Sequence, residues 1–216
     1  MPEIQGARVL ITAGPTHEAI DPVRFIGNHS TGKMGIAIAE AALESGAEVT
    51  LICGPSSVTS SDGIKRINVR SAQEMFDATM SISASQNVLI MTAAVSDYRP
   101  KNIAESKIKK KDTDLTIELE PTPDILATLG ECKTEDQTLV GFALETDNAM
   151  ENAREKMKRK NCDMIVLNTL QDSGAGFGHD TNKVTILNRH NNISTFELKS
   201  KTAVANDIIQ AIISLK

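Results

Sequence analysis

Residues 27–35 read Gly-Asn-His-Ser-Thr-Gly-Lys-Met-Gly and run directly into an amphipathic stretch. Glycines let backbone amides approach an anion, and a helix start adds its dipole, so the chemistry indicated is phosphate binding. Gly27 to Lys33 also matches the G-x-x-x-x-G-K part of a P-loop, but Met34 stands where a magnesium-holding hydroxyl is required. About fifteen residues also separate this segment from the strand before it, whereas a true P-loop follows its strand directly. We therefore read an anion cradle centred on Gly32, against the plainer alternative of a glycine-rich helix start that binds nothing.

Other segments could serve the same chemistry. Thr12 to Thr16 leaves the end of the first strand, where open α/β sheets bind ligands, and Arg24 could hold a phosphate or carboxylate by a bidentate fork. Ala93 to Tyr98 (AAVSDY) offers exposed backbone groups to a flat base edge, with Asp97 suited to a ribose hydroxyl or a magnesium ion or, more plainly, to a turn cap. Lys107, Lys109, Lys110 and Lys111 are clumped, and Lys156 and Lys160 share one face of a helix. Such clustering within an acidic chain suggests local anion binding, with solvated surface as the alternative. Gly174 to Asn182 reads as a flexible functional loop or an irregular connection. His17, His29, His179 and His190 show neither metal-ligand spacing nor a catalytic-triad order.

The 216 residues allow one α/β domain with a sizeable core, and 1–216 is read as a single domain. Net charge is −5 and aromatics are 3% with no Trp, which disfavours a nucleic-acid partner. No apolar run reaches membrane-spanning length, no leader is evident at the N-terminus, and the three cysteines read as reduced thiols of a cytoplasmic protein.

The elements that must position these residues follow from periodicity. Arg8–Thr12, Glu48–Cys53, Ile64–Val69, Asn87–Thr92, Asp114–Leu119, Leu139–Ala143 and Met164–Asn168 read as strands. Helices are expected over Lys33–Ser45, Ala72–Ala84 with Ser71 as cap, Asp124–Leu129, Met150–Lys160 and Thr202–Leu215. A hairpin of Val184–Asn188 and Thr195–Leu198 turns at residues 190–192. The sum is an α/β fold: a Rossmann-like, mainly parallel sheet flanked by helices, with a mixed or antiparallel extension and a protruding segment near residues 100–120.

Eight segments in this order resemble one family along nearly the whole chain. They are Ile11–Thr16, Asp21–Arg24, Asn28–Gly35, Ala93–Tyr98, Lys107–Lys110, Pro123–Leu126, Gly141–Thr146 and Gly176–Gly178. The family is phosphopantothenate–cysteine ligase, the synthetase half of the bacterial bifunctional decarboxylase/ligase of coenzyme A biosynthesis. The resemblance implies activation of 4′-phosphopantothenate by CTP to an acyl-cytidylate with release of pyrophosphate, then displacement of CMP by L-cysteine. It implies a catalytic Asn28 at the acyl carbonyl, Arg24 aligning the intermediate, and Lys107 stabilising the triphosphate. Gly32 would take phosphate, while Met91, Thr92 and Ala93 would border the nucleotide. Asp97 would lie at its ribose or hold Mg2+. Pro123, Asp124, Ile125, Leu126 and Phe142 would enclose cytosine, and Lys156 and Lys160 would bind the nucleotide. No flavin is expected under this reading, and a homodimer is. Cytidine rather than adenosine comes from the resemblance alone. Ser30-Thr31 departs from the family's Ser-Ser, and Thr122 replaces an Asn of some members.

Three rival readings make different demands on the sequence. A Rossmann oxidoreductase or nucleotide-sugar enzyme would have G-x-G-x-x-G after the first strand and an acidic residue after the second, where Ala13-Gly14-Pro15 and Cys53-Gly54-Pro55 stand. A P-loop kinase fails at Met34. A non-catalytic nucleotide sensor would use the same site without turnover.

Overall fold

The computed structural model of the chain describes residues 4–110, 114–145, 147–169 and 179–215. Its elements begin with β1 (Arg8–Ala13), β2 (His17–Ala19), β3 (Phe25–Gly27), α1 (Lys33–Glu44), β4 (Glu48–Cys53), β5 (Lys65–Asn68) and α2 (Ala72–Ser83). Next come β6 (Val88–Met91), β7 (Tyr98–Pro100), β8 (Leu119–Pro121), α3 (Ile125–Cys132), β9 (Thr138–Glu145) and α4 (Ala149–Arg159). The order closes with β10 (Met164–Thr169), β11 (Thr181–Asn182), β12 (Val184–Asn188), β13 (Ile193–Thr195), β14 (Lys199–Ser200) and α5 (Lys201–Ile213).

β1 is apolar on both faces. Val9, Ile11 and Ala13 point into one core layer and Leu10 into the other. A strand buried on both sides belongs in the middle of a helix-covered parallel sheet, and β1 lies there, in the strand order β13-β12-β10-β9-β6-β1-β4-β5. From β5 across to β10 every neighbouring pair is parallel. β12 and β13 continue the sheet antiparallel. This is the expected α/β architecture with its antiparallel extension.

One core layer joins Ile36, Ile38, Ala39 and Ala42 of α1 to Val204, Ala205, Ile208 and Ile209 of α5. The other holds Met75 of α2, Ile125 and Leu129 of α3, and Ala153 of α4. Helix starts are secured as the sequence indicates. Ser71 Oγ accepts from Glu74 N at 3.2 Å, and Asp124 Oδ1 from Ala127 N at 2.9 Å, caps worth about 1 kcal/mol each. None of the described helices is long and apolar enough to cross a membrane.

Three expectations are corrected. Residues 114–118 form no strand, because only Leu119–Pro121 finds a partner, pairing antiparallel with β7. The final hairpin closes sooner than expected: Asn191 adopts φ 61°, so the return strand is Ile193–Thr195 and not Thr195–Leu198. The polar stretch after β1 contains the β2–β3 hairpin, whose three-residue strands are too short to show a period. Thr146 and residues 174–178 of the expected glycine loop lie outside the described residues.

Candidate functional site

Chain order reverses between β1 and β6. From β1 the sheet grows through β4 to β5, and from β6 it grows the other way through β9 to β10. The crevice outside the strand C-termini at such a point is where open α/β sheets bind ligands. Here it is a cleft of about 810 Å³, floored by Thr12, Gly14 and Met91 to Val95.

Close backbone contacts build its wall. Ala94 N donates to Gly14 O and Gly54 N to Ala13 O, each at 2.9 Å. A Cβ on Gly54 would stand 1.8 Å from the carbonyl oxygen of Pro15, so only glycine lets these two loops meet. Gly32, at φ 80°, caps α1 in the left-handed region, where a side chain is strained. Behind it, a Cβ on Gly35 would lie 2.4 Å from Thr92 Oγ1 and 2.6 Å from Ala13 Cβ. The first turn of α1 is thereby seated against the sheet with Gly32, Lys33 and Met34 facing the cleft. No side chain caps that helix start, so its amides and dipole are presented to a ligand.

Cations surround this end. Lys33 Nζ pairs with Asp180 Oδ1 at 2.5 Å, a bond that holds the Asp180 carboxyl below its ordinary range. Lys201 is buried and donates from Nζ to the His179 carbonyl at 2.6 Å. Burial first, and repulsion from Lys33 second, pull its pKa below that of a free lysine. Asn168 also lines the cleft, and its Oδ1 is buried without a hydrogen-bond partner among the described residues.

The opposite end is set by α3 and α4. Their C-termini meet where Asn161, at φ 49°, donates from Nδ2 to Gly130 O at 2.7 Å. Lys156 Nζ donates to Phe142 O at 2.7 Å, and Lys160 Nζ pairs with Asp124. Burial lowers the Lys156 pKa, against the pull of Glu145. For Asp124 burial acts upward, but the bonds from Lys160 and the Ala127 amide outweigh it and the net shift is down. On the floor, Asn28 Nδ2 donates to Ala94 O at 3.0 Å and Val95 O at 3.2 Å.

Of the residues singled out in the sequence, Asn28, Gly32, Met91, Thr92, Ala93, Asp97, Pro123, Asp124, Ile125, Leu126, Phe142, Lys156 and Lys160 all line this one cleft. Arg24 and Lys107 do not. The Arg24 guanidinium is engaged by Asp21 and by the carbonyl of Ile108, and Lys107 is exposed. Asp97 gathers no metal cluster: no group of three His, Cys, Asp or Glu comes together among the described residues. Sequence reasoning missed Lys201 and Asn168 as cleft residues and placed Asn182 only at the end of the glycine-rich loop. Asn168 stands at the C-terminal end of a strand, which was a usable signal. Lys201 opens the last helix, and nothing in its neighbourhood pointed to the cleft.

A family model described as DNA/pantothenate metabolism flavoprotein C-terminal domain matches residues 4–215. A prokaryotic relative named cysteine/cysteine sulfinic acid decarboxylase is 54% identical over 98% of this chain and 59% of its own length. The coenzyme A biosynthesis bifunctional protein CoaBC of Bacillus subtilis is 48% identical over 98% of this chain and 52% of its length. The chain thus spans about half the length of the curated relatives it matches. Among solved structures, the C-terminal domain of a CoaBC protein superposes with TM-score 0.84 at 44% identity, covering 98% of this chain and 96% of that one. A DNA/pantothenate metabolism flavoprotein from Streptococcus pneumoniae superposes with TM-score 0.82 at 26% identity, covering 98% and 100%.

These names correct the functional expectation. The family is described through a flavoprotein and the relative at 54% identity is named a decarboxylase. The CTP-dependent ligase is therefore withdrawn, together with its partners 4′-phosphopantothenate, L-cysteine and CTP, its Mg2+, and the expectation of no flavin.

The implied flavin can be tested against the residues present. Its phosphate fits the α1 start beside Lys33 and Lys201. Its ring system has no aromatic pair to stack between, because Phe142 is the one aromatic side chain among the described cleft residues. No reaction step is derived through flavin.

Proposed function

Because the chain belongs to the family described as the C-terminal domain of DNA/pantothenate metabolism flavoproteins, we propose that its cleft binds 4′-phosphopantothenoylcysteine within coenzyme A biosynthesis. The observation that carries this reading is a cleft with cations at both ends and an orphaned acceptor between its walls. The ligand has a phosphate at one end, a carboxylate at the other, and amide N–H and hydroxyl donors along its length. The α1 amides, Lys33 and Lys201 would take the phosphate. Asn168 Oδ1 would accept from an amide or hydroxyl, because a buried acceptor left unpaired costs about 1–3 kcal/mol. Asn28, Met91, Thr92, Ala93 and Asp97 would border the body of the ligand. Lys156 and Lys160 would face its other end across Pro123 to Leu126. Three unbridged thiols accord with a cytoplasmic setting.

Decarboxylation, named for the relative at 54% identity, is the second reading. Both are tested in one set of samples. Calorimetric titration should show the phosphorylated compound binding at least about tenfold tighter than its dephosphorylated form. Equal affinities would remove the phosphate seat. Release of labelled CO2 on addition of FMN would assign decarboxylation to this chain. Tight binding without release would locate that reaction in the part of the longer relatives which this chain does not span.

A further inference from the structure

A second, open cavity of about 540 Å³ lies outside the C-terminal ends of β4 and β5, and it shares no lining residue with the cleft. Its chemistry is set by the partly buried Arg66. Arg66 Nε donates to Asn68 Oδ1 at 2.9 Å, Nη1 to Val58 O at 2.8 Å and Nη2 to Cys53 Sγ at 3.3 Å. All three acceptors are uncharged. Burial raises the Cys53 thiol above its ordinary value, and the pull of Arg66 does not reverse this. The guanidinium is thereby fixed in direction without being neutralised, because it makes no ion pair among the described residues. Each terminal nitrogen carries a second N–H that these bonds leave unspent.

The rest of the lining is of the same kind. Asn68 Oδ1 is taken by Arg66, so Nδ2 is the side-chain group left to donate. Thr59 and Ser60 add hydroxyls. No carboxylate lines the cavity, and Glu40 of α1, tied to the same loop, is committed to Ser61 N at 2.7 Å and Ser61 Oγ at 2.5 Å. An uncancelled arginine among donors selects an anion, and its planar fork matches the oxygens of phosphate. The volume far exceeds a bare phosphate and falls within the range of about 300–1,000 Å³ usual for small-ligand sites. Pro55 and Val69 give the cavity apolar sides. We infer that it is a second binding site, for a phosphate monoester, with Arg66 and Asn68 on the phosphate and Pro55 and Val69 against the organic part. The site does not depend on the function proposed for the cleft. The two are neighbours, since Ser56 lines the cavity and donates from Oγ at 2.7 Å to the carbonyl of Thr31, a cleft residue.

A phosphate can therefore enter either place, so the readout must resolve single residues. Amide NMR of the nitrogen-15-labelled chain does so, with inorganic phosphate and phenyl phosphate titrated at constant ionic strength. The amides of Thr59, Ser60 and Asn68 and the Arg66 Nε–H should shift saturably. Phenyl phosphate should bind there at least about fourfold tighter, the worth of one buried methylene. Asn68→Asp keeps an acceptor for Arg66 Nε but sets a carboxylate where the phosphate would lie. It should weaken binding at the cavity at least about tenfold and leave any titration of Gly32 and Lys33 as in the wild type. Arg66→Gln should do the same; if its spectrum shows loss of fold, Asn68→Asp decides. Shifts that do not saturate at the cavity, or that persist unchanged in Asn68→Asp, would overturn the site. Equal affinity for the two probes would overturn the monoester as its ligand.

Discussion

The cleft wall and the basic arm are held in opposite ways. The wall is made by close packing at glycines, the Gly54 backbone on that of Pro15 and Gly35 of α1 on the side chains of Thr92 and Ala13, over a buried sheet. The arm, residues 101–110, is held by a few hydrogen bonds to one ion pair in which the Asp21 carboxylate is buried and Arg24 is exposed, with its lysines in water. Close packing has no slack, so any added atom in the wall must displace main chain. Hydrogen bonds to a single residue can open locally while the rest of the molecule stays folded. The wall should therefore respond to substitution through stability and the arm through affinity.

The largest effect is expected in the wall. Gly54→Ala puts its Cβ on the Pro15 carbonyl and should cost about 3 kcal/mol or more, a fall in Tm of roughly 6–12 °C by calorimetry. A fall below about 2 °C would show that the loops can part, and the contrast with the arm would fail.

Next is the lysine on the far side of the cleft. Lys156→Met keeps the apolar stem, so Tm should hold while affinity for the phosphorylated ligand drops about 10–100-fold in titration. Burial already lowers the Lys156 pKa, so its charge is lost at a lower pH than that of a free lysine. An anionic ligand favours the charged form, so binding at alkaline pH below the free-lysine range of about 10.4 should take up protons. Titration in buffers of different ionisation enthalpy measures this uptake, which Lys156→Met should reduce to the share contributed by Lys201, whose pKa is also lowered.

A smaller effect concerns the buried Asp21 carboxylate that holds the arm at Ile108. The Asp21 carboxyl titrates below its ordinary range when folded, so its stabilisation is fully present above that range and is lost as pH falls through the lower folded value. Asp21→Asn should flatten the dependence of Tm on pH on the acid side of about pH 4. A dependence as steep as the wild type's would disconnect this carboxylate from the fold.

The smallest effect is a difference in rate. Cys132 is exposed, whereas Cys53 lies buried beside the wall and Cys162 is buried, with burial pushing its thiol up to about 12. Iodoacetamide at about pH 8 should modify Cys132 first and leave the other two slow. Early labelling of Cys53 would mean that the wall opens more readily than its packing implies.

Elements with a repeating burial pattern were legible from sequence. β4 and β12 have the bounds that alternation and length indicated, and β1 and the five helices differ from expectation by a few residues at their ends. Short elements were not legible, because a three-residue strand such as β2 or β7 completes no period and exists only through its partner. The same split runs through the cleft. Gly32, Met91 to Ala93 and Asp97 follow a helix start or a strand end, so their places could be inferred from local signals. Lys201 and Asn182 come from the far end of the chain, and only the packing of α5 against α1 brings that end to the Gly32 loop. The local segments also marked Arg24 and Lys107 as ligand-binding cations. Their commitments are decided by a contact across 84 positions that no periodicity encodes. Sequence alone determined the α/β layers and several of the loops that line the cleft, because both arise from interactions between near neighbours. Which lysines face the cleft, and which arginine is already engaged, was decided by tertiary structure, because hydrogen bonds between distant segments form only once the sheet has set their separation.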